Sequence, residues 1–201
     1  MITLLRIAET FFVACALVLL AAPIYFMLFW RLLPFWRRRQ PFWAWLMIGA
    51  VVGAVLLVVF AVRPCWSPYA VRFPIWARTV GWAVAASAAL ITWLAQRAIT
   101  LPVRALLPVL RPDERFELRT GGIYGVVRHP IYAAMALYGL GIFLAIGYYL
   151  VLAALAVWLA ALPWACQQEE GVLIERFGDA YREYRARTPM LFPRLVPGRK
   201  R

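Results

Sequence analysis

Residues 130–168 read PIYAAMALYGLGIFLAIGYYLVLAALAVWLAALPWACQQ, 39 positions without one charged side chain. A helix crossing the hydrocarbon core needs about 20 apolar residues, so this run is too long for one crossing. It predicts a hairpin of two spans with Gly147-Tyr148-Tyr149 at the tip. Its two ends, at His129-Pro130 and Gln168-Glu169, must then lie on the same side of a membrane.

Working outward, three more stretches lack charge: 10–30 with 21 residues, 40–62 with 23, and 79–96 with 18. The first two are each one span. The third is long enough if Arg78 or Arg97 extends its head group to the interface. The fold class expected is therefore all-α, a polytopic membrane helix bundle with about five transmembrane helices. A secretory signal is the competing reading of the first run. Against it, the apolar character continues past Ala21-Ala22 to Trp30 and the basic Arg37-Arg38-Arg39, beyond a signal's shorter apolar region.

Of the 201 residues 65% are hydrophobic, and the mean hydropathy is +0.74. The net charge of +13 sits in the segments between spans, beside tryptophan and tyrosine. That pattern fits anionic lipid headgroups rather than nucleic acid. With the N-terminus outside, 18 basic residues face the cytoplasm and 4 (Arg6, Arg63, Arg72, Arg78) face out. The positive-inside rule therefore predicts N-out and C-in. Cys15, Cys65 and Cys166 form no CxxC pattern, and a single histidine argues against a metal site. Arginine dominates over lysine, and Ala and Pro are abundant, which suggests a GC-rich bacterial genome and, with the spans, a bacterial inner membrane.

Residues 1–97 read as a three-span scaffold. Residues 98–201 read as a cytoplasmic loop, the hairpin and a C-terminal amphipathic helix, forming one integrated domain with the candidate site. Between Arg97 and Arg128, prolines alternate with arginines, which predicts an interfacial stretch ending at the Gly121-Gly122 turn. After the hairpin, Leu173, Phe177, Tyr181 and Tyr184 recur at helical spacing. They predict one helix over 167–187 lying along the interface and stopped by Thr188-Pro189.

Polar residues gather at the two ends of the hairpin. At one end stand Tyr124, Arg128, His129 and Tyr132, with Pro130 suited to the first turn of a helix whose N–H groups face the site. The plainer reading of Arg128-His129 is a pair anchoring lipid headgroups. At the other end stand Glu169 and Glu170, costly at the mouth of a span unless solvated, paired or bound. Their plainer reading is the start of a charged surface helix.

The pattern Gly122-x-Tyr124-x-x-Val127-Arg128-His129-Pro130-x-Tyr132, a hairpin, then Glu169-Glu170-x-x-Leu173-x-x-x-Phe177-Gly178-x-x-Tyr181-x-x-Tyr184 resembles the isoprenylcysteine carboxyl methyltransferase family. A looser version occurs in phospholipid N-methyltransferases. The resemblance covers about residues 110–195. It implies S-adenosylmethionine as cofactor and methyl transfer to a lipophilic acceptor, a prenylcysteine-like carboxylate or another lipid or small molecule. It implicates Leu118, Tyr124, Arg128, His129, Tyr132, Ala134, Glu169 and Glu170 in holding the cofactor, with Arg128 and His129 nearest the chemistry. A helix N-terminus and Arg128 suit a methionine carboxylate, and a glutamate suits ribose hydroxyls or an amine.

Two departures stand out. Ala134 occupies a position where the family usually has glycine, and Ala165-Cys166-Gln167-Gln168 lacks the arginine that precedes the glutamates in the eukaryotic prenylcysteine enzymes. Two other function classes compete. Sterol-type membrane reductases carry a similar Arg-His-Pro-x-Tyr segment and use NADPH. A non-catalytic membrane protein keeping only the fold is the third.

Overall fold

The computed structural model describes residues 2–21, 29, 31–38, 41–99 and 117–193. The expected interfacial stretch between Arg97 and the Gly-Gly turn falls mostly outside these residues, as do the basic positions Arg194, Arg199, Lys200 and Arg201. The described chain is helical, with one isolated bridge between Ala70 and Tyr148. Its elements are α1 (Ile2–Leu20), α2 (Leu33–Arg37), α3 (Pro41–Ala61), α4 (Arg63–Trp66) and α5 (Ile75–Ala98). After these come α6 (Ile123–Val126), α7 (Pro130–Ile146), α8 (Tyr149–Phe177) and α9 (Asp179–Arg187). Among the described residues, three helices are long and apolar enough to cross a membrane: Phe42–Ala61, Ile75–Ala98 and Tyr149–Phe177. Pro130–Ile146 is a shorter apolar helix. α1 begins at Ile2, ahead of the first charge-free run, and residues 22–28 and 30 of that run lie outside the described residues.

The hairpin forms where expected. α7 ends at Gly147, which has φ 92, and α8 begins at Tyr149. Glycine is needed there twice over. The left-handed backbone disfavours a side chain, and a Cβ would lie 2.0 Å from the Val71 carbonyl oxygen. That closeness reflects docking of the tip on the segment before α5. Val71 N–H donates to Gly147 O at 2.9 Å, and Tyr149 N–H donates to Tyr69 O at 3.1 Å.

α7 packs most closely on α5, backbone against backbone. A Cβ on Gly81 would sit 2.5 Å from Ala145 N, and one on Gly141 would sit 2.6 Å from Ala85 N. Small residues four apart on each helix permit this approach, the usual solution where lipid removes the hydrophobic drive for association. Thr79, Ser87 and Thr92 on α5 donate to carbonyls four residues earlier, so their hydroxyls are satisfied within the helix. The main core joins Val13, Leu17 and Leu20 of α1 to Ile142 and Phe143 of α7 and to Val151, Leu155, Trp158 and Leu162 of α8.

α8 is longer than a span. At 1.5 Å per residue its 29 residues reach about 43 Å, against about 30 Å of hydrocarbon. Glu169 and Glu170 follow roughly 30 Å from its start, at the level where α7 begins. Here the expected single helix over 167–187 is corrected. Residues 167–177 continue α8 without a break, and Gly178, with φ 56, splits off α9. The aromatic stripe is therefore divided between two helices, with Tyr181 and Tyr184 buried and Leu173 and Phe177 half-buried.

Candidate active site

The two ends of the hairpin meet in a charged cluster closed over by the C-terminal segment. His129 is the N-cap of α7 and Pro130 its first residue, as the sequence predicts. Extended backbone just before that helix leaves N–H groups to be satisfied, and the chain beyond α9 supplies the partners. Arg128 N–H donates to Pro189 O at 2.9 Å, and His129 N–H donates to Met190 O at 3.0 Å. Thr188, which ends α9, is buried beside them.

Glu170 is the centre of the cluster, with a side chain only 2% exposed. Its Oε1 accepts from Arg128 Nε at 2.8 Å and lies 2.8 Å from Arg128 Nη2. His129 Nε2 lies 3.1 Å from the same oxygen. Arg185 Nε, on α9, is 3.2 Å from Oε2, yet that oxygen has no aligned hydrogen bond from the protein. Arg128 Nη1 donates to the carbonyls of Arg185, at 3.0 Å, and Thr188. Arg128 is thus directed almost wholly into the protein, tying the start of α7 to α8 and α9. These contacts engage four of its five N–H donors, so a ligand carboxylate could reach one remaining Nη2 hydrogen without displacing a partner.

Glu169 differs from its neighbour. Its side chain is 34% exposed, its Oε2 lies 3.6 Å from His129 Nδ1, and it takes a hydrogen bond from the Tyr132 hydroxyl. The His129 ring lies parallel to Tyr132, with centroids 5.5 Å apart, and Tyr132 meets Trp158 edge-on at 5.9 Å. Both imidazole nitrogens face carboxylates, a setting in which both act as donors. Burial alone pulls the His129 pKa down, but Glu169 and Glu170 outweigh it and raise it from 6.5 to about 9. His129 is therefore a cation at neutral pH.

Of the other candidates, Ala134 is buried on α7. Tyr124 is on α6, and its carbonyl accepts the Tyr184 hydroxyl at 2.6 Å, which locks α9 over the cluster. Burial raises the pKa of Tyr184 to about 12, so the hydroxyl remains a donor. Leu118 lies half-buried in the irregular segment before the Gly-Gly turn. Arg185, Tyr184 and the carbonyls of Thr188, Pro189 and Met190 were not expected in the site. Only the tyrosine at helical spacing hinted at them, because backbone acceptors and a surface-like arginine leave no pattern.

A membrane helix bundle with a buried histidine–arginine–glutamate cluster at one end of a hairpin defines the class to be compared. The sequence profile of the phospholipid methyltransferase family matches residues 76–180, just over half of the chain. The chain belongs to that family of membrane methyltransferases. It is also 35% identical over 82 residues to the protein-S-isoprenylcysteine O-methyltransferase of Schizosaccharomyces pombe (strain 972 / ATCC 24843). That alignment covers 40% of this chain and 34% of the yeast protein, about a third of its length.

Proposed function

We propose that this protein transfers a methyl group from S-adenosylmethionine to a lipophilic acceptor, at a site on the cytoplasmic face of a bacterial inner membrane. The observation that carries the reading is the division of labour between adjacent glutamates. Glu170 is consumed by Arg128, His129 and Arg185, while Glu169 stays partly open beside His129 and Tyr132. The residues suit the cofactor's polar groups. Glu169 is placed to accept from hydroxyl or ammonium donors, and Glu170 Oε2 is a buried acceptor still lacking an aligned donor. When bound, S-adenosylmethionine supplies an electrophilic methyl on a sulfonium, displaced directly by an acceptor lone pair.

The chain's own contribution is positioning and exclusion of water. Because His129 is a cation at neutral pH, it holds the two carboxylates in place and does not abstract a proton. Arg128 and Arg185 hold Glu170, and Tyr181, Tyr184 and the segment 188–190 seal the cluster from above. A lipid acceptor enters sideways between spans, which accounts for building the enzyme inside the bilayer. The arrangement in this reading is about five spans, N-out and C-in, with residues 1–97 as scaffold and 98–201 carrying the site.

The test is calorimetry on the full chain in nanodiscs, with S-adenosylhomocysteine and NADPH titrated in parallel. Saturable binding of the first, lost in Glu169→Ala, is the expected result. Binding of NADPH alone would place the protein with the reductases, and binding of neither would leave a family fold without the chemistry.

A further inference from the structure

At the opposite end of the helices from the glutamate cluster lies a cavity of about 750 Å³, the size of a small-molecule site. It opens between the start of α1, α4, the segment before α5 with the first turn of α5, and the hairpin tip. Arg6, Arg63, Arg72 and Arg78 all line it, against a single carboxylate, Glu9. These are the only basic side chains at this end among the described residues, and every one faces the same space.

Their partners show which are held and which are open. Arg63 Nε donates to Thr10 Oγ1 at 2.8 Å, and Arg78 Nε donates to the Ala145 carbonyl at 3.2 Å, so both guanidiniums are aimed by protein contacts. Glu9 faces the Tyr148 hydroxyl at 3.5 Å. Arg6 and Arg72 are exposed and form no ion pair among the described residues. Four guanidiniums around one carboxylate leave a cavity with a surplus of positive charge and of bidentate donors. That chemistry matches a phosphate group. Exposed Tyr69, Ile75 and Trp76 flank the same end, as expected where helices meet a membrane interface.

We propose that this cavity binds a phosphate group, carried by a lipid headgroup or free in solution, at a second site remote from the methyl-transfer centre. The site stands on its own residues and does not depend on the cofactor reading.

The experiment is a thermal-unfolding titration of the purified full chain in neutral detergent. Dioctanoyl phosphatidylglycerol, inorganic phosphate and dioctanoylglycerol are added in separate arms. Wild type, Arg6→Gln/Arg72→Gln and Arg38→Gln are compared, Arg38 being exposed near the other end of α3. A saturable rise in midpoint with the phosphatidylglycerol is expected for wild type and Arg38→Gln. The double variant is expected to need about tenfold more ligand or worse, since each lost charged hydrogen bond weakens binding by at least that order. Inorganic phosphate reproducing or competing away the effect identifies free phosphate as the source, and failure to compete identifies the lipid. An equal rise in the double variant, or an equal rise with dioctanoylglycerol, overturns the proposal. Should the double variant lose helical content, Arg72→Gln alone, in the connection outside the helices, is read by the same criteria.

Discussion

Glu169 and Glu170 are adjacent in sequence, yet one turn of geometry gives them opposite surroundings. Glu170 points into Arg128, His129 and Arg185, and Glu169, a third exposed, faces the other nitrogen of His129. Removing one member of a buried ion cluster leaves the others uncompensated, at a cost of roughly 3–5 kcal/mol. Glu170→Gln is therefore expected to lower the thermal midpoint sharply in detergent. Glu169→Gln, at a side chain a third exposed, is expected to lower the midpoint less than Glu170→Gln does, while weakening S-adenosylhomocysteine binding about tenfold or more by calorimetry. His129 carries a pH signature. Its pKa is raised from 6.5 to about 9, so its stabilising contribution is fully present below pH 6.5 and is lost as pH rises through about 9. The midpoint of the wild type should fall across that window, and His129→Asn should flatten the fall. These residues were legible as a pair of half-motifs at the hairpin's ends. Which glutamate is buried was not, because that depends on Arg185, whose arrival on α9 no local spacing announces.

The α5–α7 contact is governed by absent side chains. Gly81→Ala places a methyl 2.5 Å from Ala145 N and 2.7 Å from Gly141 O, so the helices must separate. Overpacking of this kind costs about 1–3 kcal/mol. Gly49 on α3 has nothing within 4 Å of its would-be Cβ, and Gly49→Ala is expected to be neutral or stabilising by up to about 1 kcal/mol. Thermal unfolding of the two variants side by side checks the contrast. The hairpin and its Gly147 turn were readable from 39 uncharged residues flanking a glycine and two tyrosines. The small-residue seam was overlooked because Gly81, Ala85, Gly141 and Ala145 look like any apolar span until the partner helix is known. The break at Gly178 was hidden by aromatic spacing that satisfies one helix as well as two.

For the whole molecule, charge distribution made both the membrane class and the separation of the helix ends legible. It also marked a polarity that the structure sharpens, with four arginines around a cavity at one end and the glutamate cluster at the other. If the cavity end faces outward, exposed Cys65 should react with a membrane-impermeant maleimide in intact cells. In a Cys65→Ser background, a cysteine replacing exposed Glu183 on α9 should react only after permeabilisation; the reverse pattern would invert the topology. Residues 100–116 precede the Gly-Gly turn in the sequence, and their alternation of Pro and Arg gives no regular period.

The central claim is methyl transfer to a lipophilic acceptor at the end of the hairpin where Glu169 stands. Membranes from cells expressing the wild type or Glu169→Gln, at matched protein levels, would be incubated with methyl-tritiated S-adenosylmethionine and extracted with organic solvent. The account expects label in the organic phase from wild-type membranes and background label from Glu169→Gln. Equal label from the two, or none above background from the wild type, would contradict it.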